Sequence, residues 1–224
     1  MRNDKHLAIK LRKKGKSYNH ISKVLEIPKS TMVYWFKSEA WSEEIKKELT
    51  RKANYVARKR LTLINKRRRE EWEKWRQGFR NEAIREFPLL LKKPLFISGI
   101  NLYWGEGDSN LKNAIKLSNT DPRMINLFSK FCQKILKVPI EKMYPWLILY
   151  PDLSEKKCKD FWSKTSGIPI SNFKKTQLIK GKHPTKKLTY GICIIQMNSR
   201  GLKEKLFTWI NLFFEKFKLT AGIV

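Results

Sequence analysis

Apolar positions recur with a helical period along most of this chain, and the character of the pattern changes twice. Near the amino terminus Leu7 and Leu11, with Ile9, give one face to a helix that stops at Gly15, a residue that commonly ends helices. Ser17 stands where an N-cap belongs, and Ile21, Val24 and Leu25 follow at helical spacing. Ile27-Pro28 breaks that helix. Lys29-Ser30-Thr31 then opens a third one carrying Met32, Val33, Trp35 and Phe36. Two short helices joined by a tight turn, with a third before them, make a helix-turn-helix arrangement.

Residues 41–86 are dense in charge and free of Pro. Within KRLTLINKRRREEWEKWR, the residues Leu61, Ile64, Arg68, Trp72 and Trp75 fall near helical spacing. Arg67–Arg69, ahead of Glu70, Glu71 and Glu73, are placed for intrahelical ion pairs. A continuous helix here would run about 65–70 Å at roughly 1.5 Å per residue, with Gly78 as its candidate interruption.

Beyond residue 93 short strand-like runs alternate with helical ones. The pattern predicts helix 94–105, a hairpin with one strand at Asn113–Asn119, helix 122–137, strand Trp146–Tyr150, helix 153–166, strand Tyr190–Met197 and helix 201–217. Asp121-Pro122 is a good helix start, and Leu202, Leu206, Trp209, Ile210 and Phe213 give the last helix a broad apolar face. This order predicts an α+β fold with an antiparallel sheet covered on one face by helices. The chain divides into a helix-turn-helix at 1–40, a basic helical connector at 41–93 and an α+β domain at 94–224.

Charge sharpens this picture. The 224 residues carry 49 Lys and Arg against 20 Asp and Glu, a formal net charge of +29. Such an excess repels itself in a compact state, so a polyanionic partner is expected. Nucleic acid and an anionic membrane surface both qualify on charge. The terminus MRNDKHLAIKLRKKG has no apolar signal core, and no apolar run approaches the roughly 20 residues a membrane helix needs. The expectation is a cytoplasmic, nucleoid-associated protein that binds double-stranded DNA and no membrane. Cys132, Cys158 and Cys193 are widely spaced and read as reduced, buried thiols. The three His are equally scattered.

The stretch GKSYNHISKVLEIPKSTMVYWFK resembles the helix-turn-helix of resolvases and transposases, with its Gly-x-Ser/Thr…Ile…Ile-x-x-Ser-Thr…Trp pattern. The second helix of such a motif enters the major groove with its first residues on base edges. The resemblance implies that Lys29, Ser30, Thr31 and Tyr34 face bases while Lys16 and Lys37 hold phosphates. A plain three-helix bundle contacting protein is the alternative. For the segment 41–86, a connector lying along DNA phosphates stands beside a solvated helix that packs on its neighbours or on a second copy.

One acidic motif interrupts the basic chain. LFISGINLYWGEGDS ends an apolar helix in Gly105-Glu106-Gly107-Asp108, and those two acids are the only ones between Glu86 and Asp121. With the helix–strand order that follows, Leu102-Tyr103-Trp104-Gly105-Glu106-Gly107 resembles the LAGLIDADG homing endonucleases, which form an αββαββα fold. In that family two such helices pack side by side, their terminal acids hold a divalent metal over the cleavable phosphates, and the sheets straddle the DNA. The resemblance implies that Glu106 is the catalytic residue and metal ligand, with Mg²⁺ as cofactor. One motif in this chain means that a two-acid centre calls for a homodimer. Trp104 stands where the family often has its first acid, Asn101 where it has a small residue for close helix contact, and Gly99 lies two positions earlier. The segment is also similar to bacterial proteins that join a helix-turn-helix to Leu-Tyr-Trp-Ala/Gly-Glu-Gly, with elements echoed here as LSNTDP, FWSKTSGIP and KLTYG.

Two readings of this domain therefore stand. One is metal-dependent DNA cleavage; the other is a degenerate endonuclease fold kept by a non-catalytic transcription regulator for DNA binding or dimerisation. In both, Asp108 serves as a side-chain cap of the hairpin turn. Lys174, Lys175, Lys180, Lys182, Lys186 and Lys187 crowd one loop with Gly181 and Pro184, as a phosphate-tracking arm or a solvated loop. Tyr144, Trp146, Tyr150, Phe161 and Trp162 read as core or sheet packing.

Overall fold

The computed structural model describes residues 4–180 and 188–217. Contacts divide the chain into two units, Met1–Trp72 and Glu73–Val224. One helix, α4 (Ala40–Leu90), contributes to both. Gly78 does not interrupt it, and Pro88 is accommodated near its end.

The first unit packs α1 (Lys5–Lys13), α2 (Tyr18–Leu25) and α3 (Lys29–Phe36) against the start of α4. Gly15 turns the chain after α1 with φ +78°, a conformation that costs glycine little. Ser17 caps α2 as its sequence position predicts, its hydroxyl accepting from the His20 amide at 3.2 Å. Glu26 closes α2 in the left-handed region at φ 52°, and Ile27-Pro28 leads directly into α3. Ala8, Ile21, Ile27, Met32 and Phe36 form the core. The buried face of α1 is Ala8 and Arg12 rather than Leu7, which stays exposed. A guanidinium replaces an apolar side chain there because its bonds are met. Arg12 donates to Ser42 Oγ (3.2 Å), the Ser42 carbonyl (2.8 Å) and the Lys16 carbonyl (3.0 Å), and it lies over the Tyr18 ring.

The second unit is α+β. Its elements run α5 (Pro94–Glu106), β1 (Ile115–Asn119), α6 (Pro122–Lys134), β2 (Tyr144–Leu149), α7 (Glu155–Ser166), β3 (Gln177–Leu178), β4 (Ile192–Met197) and α8 (Arg200–Phe217). The sheet order is β1-β4-β2-β3. Two pairings are antiparallel, but β3 lies parallel to β2, so the expectation of a wholly antiparallel sheet is corrected at that edge. The cause is α7: a helical crossover returns the chain to the same end of the sheet, which makes the next strand parallel. The added α7 and β3 also depart from a strict αββαββα order, in which the first hairpin is reduced here to a Gly107–Leu117 bridge.

One sheet face, with Ile115, Leu117, Leu147, Cys193, Ile195 and Met197, meets the helices in a single core. Ala83 and Phe87 of α4 belong to that core, and Trp209 donates its indole N–H to the Ala83 carbonyl at 3.0 Å. The carboxyl-terminal part of the connector is thus a packed element of the second unit. Gly99 allows α5 to approach α6, since a Cβ there would stand 2.2 Å from the Phe131 ring. Cys132, Cys158 and Cys193 are free and buried. Among the described residues no helix is long and apolar enough to cross a membrane.

Candidate nucleic-acid interface

Helix α3 buries Met32 and Phe36 and turns the opposite face outward. That face carries Lys29, Ser30, Val33, Tyr34 and Lys37, all exposed, at the spacings a single helical face requires. Tyr34 is 81% exposed, far beyond what packing of an aromatic ring would leave. Thr31 falls outside the face, on the half-buried flank it shares with Trp35. Val33 was read from sequence only as apolar, yet its position four residues after Lys29 and four before Lys37 places it between them. Lys16 is exposed one residue before the α2 N-cap, where backbone N–H groups already favour an anion. Four of the six residues assigned to the helix-turn-helix, Lys29, Ser30, Tyr34 and Lys37, share this face of α3; Thr31 lies at its margin and Lys16 on the turn before α2.

In the second unit Glu106 is the last residue of α5 and is exposed. Among the described residues it has no hydrogen-bond or ion-pair partner, and no group of three His, Cys, Asp or Glu is placed to hold a metal. Asp108, two positions on, is built into the structure. Its carboxylate accepts from the Asn110 amide at 2.9 Å and from the Asn113 side chain at 3.1 Å, as a turn-capping Asp does. Its backbone carbonyl accepts from the Tyr103 hydroxyl (3.0 Å) and from the buried Lys203 ammonium (2.7 Å). Burial alone would raise the Asp108 pKa. The bonds from Asn113 and Asn110 and the Lys203 charge outweigh it and hold the carboxyl below its usual range. Burial lowers the Lys203 pKa, opposed by the Asp108 charge. Burial, helped by that same charge, pushes the Tyr103 phenol up. Sequence reading missed Lys203, whose only signal was a Lys within the apolar-patterned start of α8.

The face of α5 away from the core carries Ser98, Asn101 and Gly105, all exposed. Asn101 folds its amide back onto the Ile97 carbonyl at 2.9 Å, and no atom lies within 4 Å of where a Gly105 Cβ would stand. Gly99, in contrast, serves contact within the chain.

The second face of the sheet is not part of the helix-covered core. Its register aligns Lys116, Gln196 and Tyr144 in one row and Ser118, Ile194 and Trp146 in the next. Lys174 donates its amide to Pro145 and sets its ammonium 4.3 Å from the Tyr144 ring centre. Lys174 and Lys175 precede edge strand β3 and Lys180 follows it, all three exposed. Basic side chains thus bracket this face. Lys182, Lys186 and Lys187 lie outside the described residues.

No family model, no curated protein and no solved structure matches the chain.

Proposed function

We propose that this chain is a double-stranded DNA-binding protein whose α3 enters the major groove and reads base edges. The observation that carries this reading is the exposed α3 face of Lys29, Ser30, Val33, Tyr34 and Lys37, in a protein of net charge +29. Lysine ammonium groups and the Ser30 and Tyr34 hydroxyls supply donors and acceptors for base edges and phosphates, and Val33 supplies apolar contact suited to a thymine methyl. The basic-bracketed sheet face of the second unit suits further contact with the duplex, in keeping with the resemblance to LAGLIDADG endonucleases. A cytoplasmic, nucleoid-associated role follows from the same partner.

A second reading, metal-dependent cleavage, is supported by Glu106, a carboxylate left exposed at a helix carboxyl terminus where the dipole disfavours it. One carboxylate is the least that Mg²⁺ takes from a protein. A two-acid centre would need the Glu106 of a second copy, for which the exposed Ser98, Asn101 and Gly105 leave room. Among the described residues no group of three His, Cys, Asp or Glu is placed to hold a metal, and sequence-specific binding without cleavage is the preferred reading.

Selection from a random duplex library at about 0.1 M salt tests the main reading. The full chain should enrich a short sequence and should prefer it to structured RNA at matched salt. Preference for the RNA would overturn it. Adding Mg²⁺ to the enriched duplex tests the second reading: nicking that Glu106→Gln abolishes without loss of affinity would establish it, and an intact duplex would remove it.

A further inference from the structure

We propose that residues 49–69 of α4 form a second, sequence-independent nucleic-acid contact, in which a basic helix face lies along the phosphates of a duplex. This inference rests on the DNA-binding reading of α3 and adds a surface which that reading does not need.

Between Glu48 and Glu70 the helix carries nine Lys and Arg and no acid. Every residue of this stretch from Thr50 to Arg69 is exposed except Asn65, which is half-buried. Arg51 and Lys52 pair with Glu48 at 2.9 and 3.4 Å. Among the described residues the remaining seven, from Arg58 to Arg69, have no carboxylate partner. The pairs expected between Arg67–Arg69 and Glu70, Glu71 and Glu73 do not form. Glu73 turns instead to Arg76 (2.7 Å) and Arg80 (2.8 Å), the orientation with Glu on the amino-terminal side that a helix favours.

Five of the charges share a face. Lys52, Lys59 and Lys66 are seven residues apart, which returns each to nearly the same side, and Arg60 and Arg67 stand one position further round. Successive members are separated by about 10 Å along the axis. The opposite flank holds Ala57, Leu61 and Ile64 together with Arg68. Unpaired like charges at this density destabilise a helix, and a polyanion offsets that repulsion. A duplex presents one phosphate charge per roughly 1.7 Å of its axis, so a helix laid against it meets phosphates in any register. An anionic membrane surface is the weaker match, because a helix that lies on a bilayer buries Trp, Phe or Leu side chains on a broad apolar face. The segment 49–69 contains neither Trp nor Phe, and Arg68 interrupts the flank of Ala57, Leu61 and Ile64.

The test is a full-chain variant in which Lys59, Arg60, Lys66 and Arg67 are all replaced by Gln, a residue that keeps helix propensity. Circular dichroism verifies that helix content is retained, and anisotropy on a mixed-sequence duplex is measured across salt concentrations. The slope of log affinity against log salt should fall by about 3–4, near 0.9 for each lost phosphate contact. Affinity should drop at least tenfold at low salt for every duplex alike. Tyr34→Ala separates the two readings: it should alter sequence preference and leave the slope, whereas the fourfold variant should alter the slope and leave the preference. An unchanged slope with intact helix content overturns the inference. Loss of binding to phosphatidylserine vesicles with unchanged duplex binding also overturns it, and assigns the face to a membrane.

Discussion

Lys203, fully buried in the first turn of α8, donates to the Asp108 carbonyl at 2.7 Å and lies 3.4 Å from the Asp108 carboxylate. The same ammonium reaches the Ala114 carbonyl at 3.1 Å. It ties the turn that follows Glu106 to the last helix of the domain. A lysine is tolerated in that position because its ammonium is met by three oxygens, one of them on a carboxylate. Replacing Lys203 by Met takes the donor from the Ala114 carbonyl, leaves the Asp108 carbonyl to the Tyr103 hydroxyl alone and removes a counter-charge from Asp108, at a cost of about 1–3 kcal/mol. Denaturant unfolding of the variant checks this. An unchanged midpoint would mean that the turn is held by Asn110 and Asn113 alone.

Two glycines of α5 should respond in opposite directions. Gly99→Ala drives a methyl into the Phe131 ring, where it would stand 2.2 Å away. The loss expected for overpacking at a helix crossing is about 1–3 kcal/mol. Gly105→Ala meets nothing within 4 Å. Within a helix, alanine there should be neutral or add about 0.5–1 kcal/mol. Thermal unfolding of the two variants side by side reads the contrast, and equal effects would contradict the assigned packing.

Asp121 carries a pH dependence of definite sign. Hydrogen bonds from the Arg123 side chain and amide lower its carboxyl pKa to about 2, against an ordinary value near 3.9. A depressed carboxylate pKa favours the folded state above the unfolded value, and that contribution disappears as pH falls through about 2. Carboxyl chemical shifts followed by NMR should show this titration, and Arg123→Leu should move it upward. A midpoint near 4 in the unaltered protein would show that the Arg123 pair does not form in solution.

Much of this architecture was legible in the residues, and its failures have physical causes. Ser17, Pro28, Asp121 and the apolar face of α8 marked helix starts and buried sides correctly, because capping and periodicity are local properties. Strand β3 was missed, since a two-residue edge strand has no periodicity to read. Its parallel pairing depended on where α7 returns the chain. Arg12 and Lys203 were unreadable as buried groups because their partners are backbone carbonyls and a serine distant in sequence. On α3, Tyr34 and its neighbours were singled out by the helix-turn-helix resemblance, and helix spacing alone sets Thr31 off their face. That Glu106 lacks an ion-pair partner among the described residues was not legible, because it depends on where the Lys and Arg side chains of the fold end up.

The central claim is that the exposed face of α3 reads base sequence, and Tyr34 is its most exposed member. Affinity of the full chain and of Tyr34→Ala for the enriched duplex and for a scrambled one measures the claim directly. The variant should lose about 1–3 kcal/mol on the enriched duplex and little on the scrambled one, lowering the preference roughly 5–150-fold. Equal losses on both duplexes, or none on either, would contradict a reading role for this face.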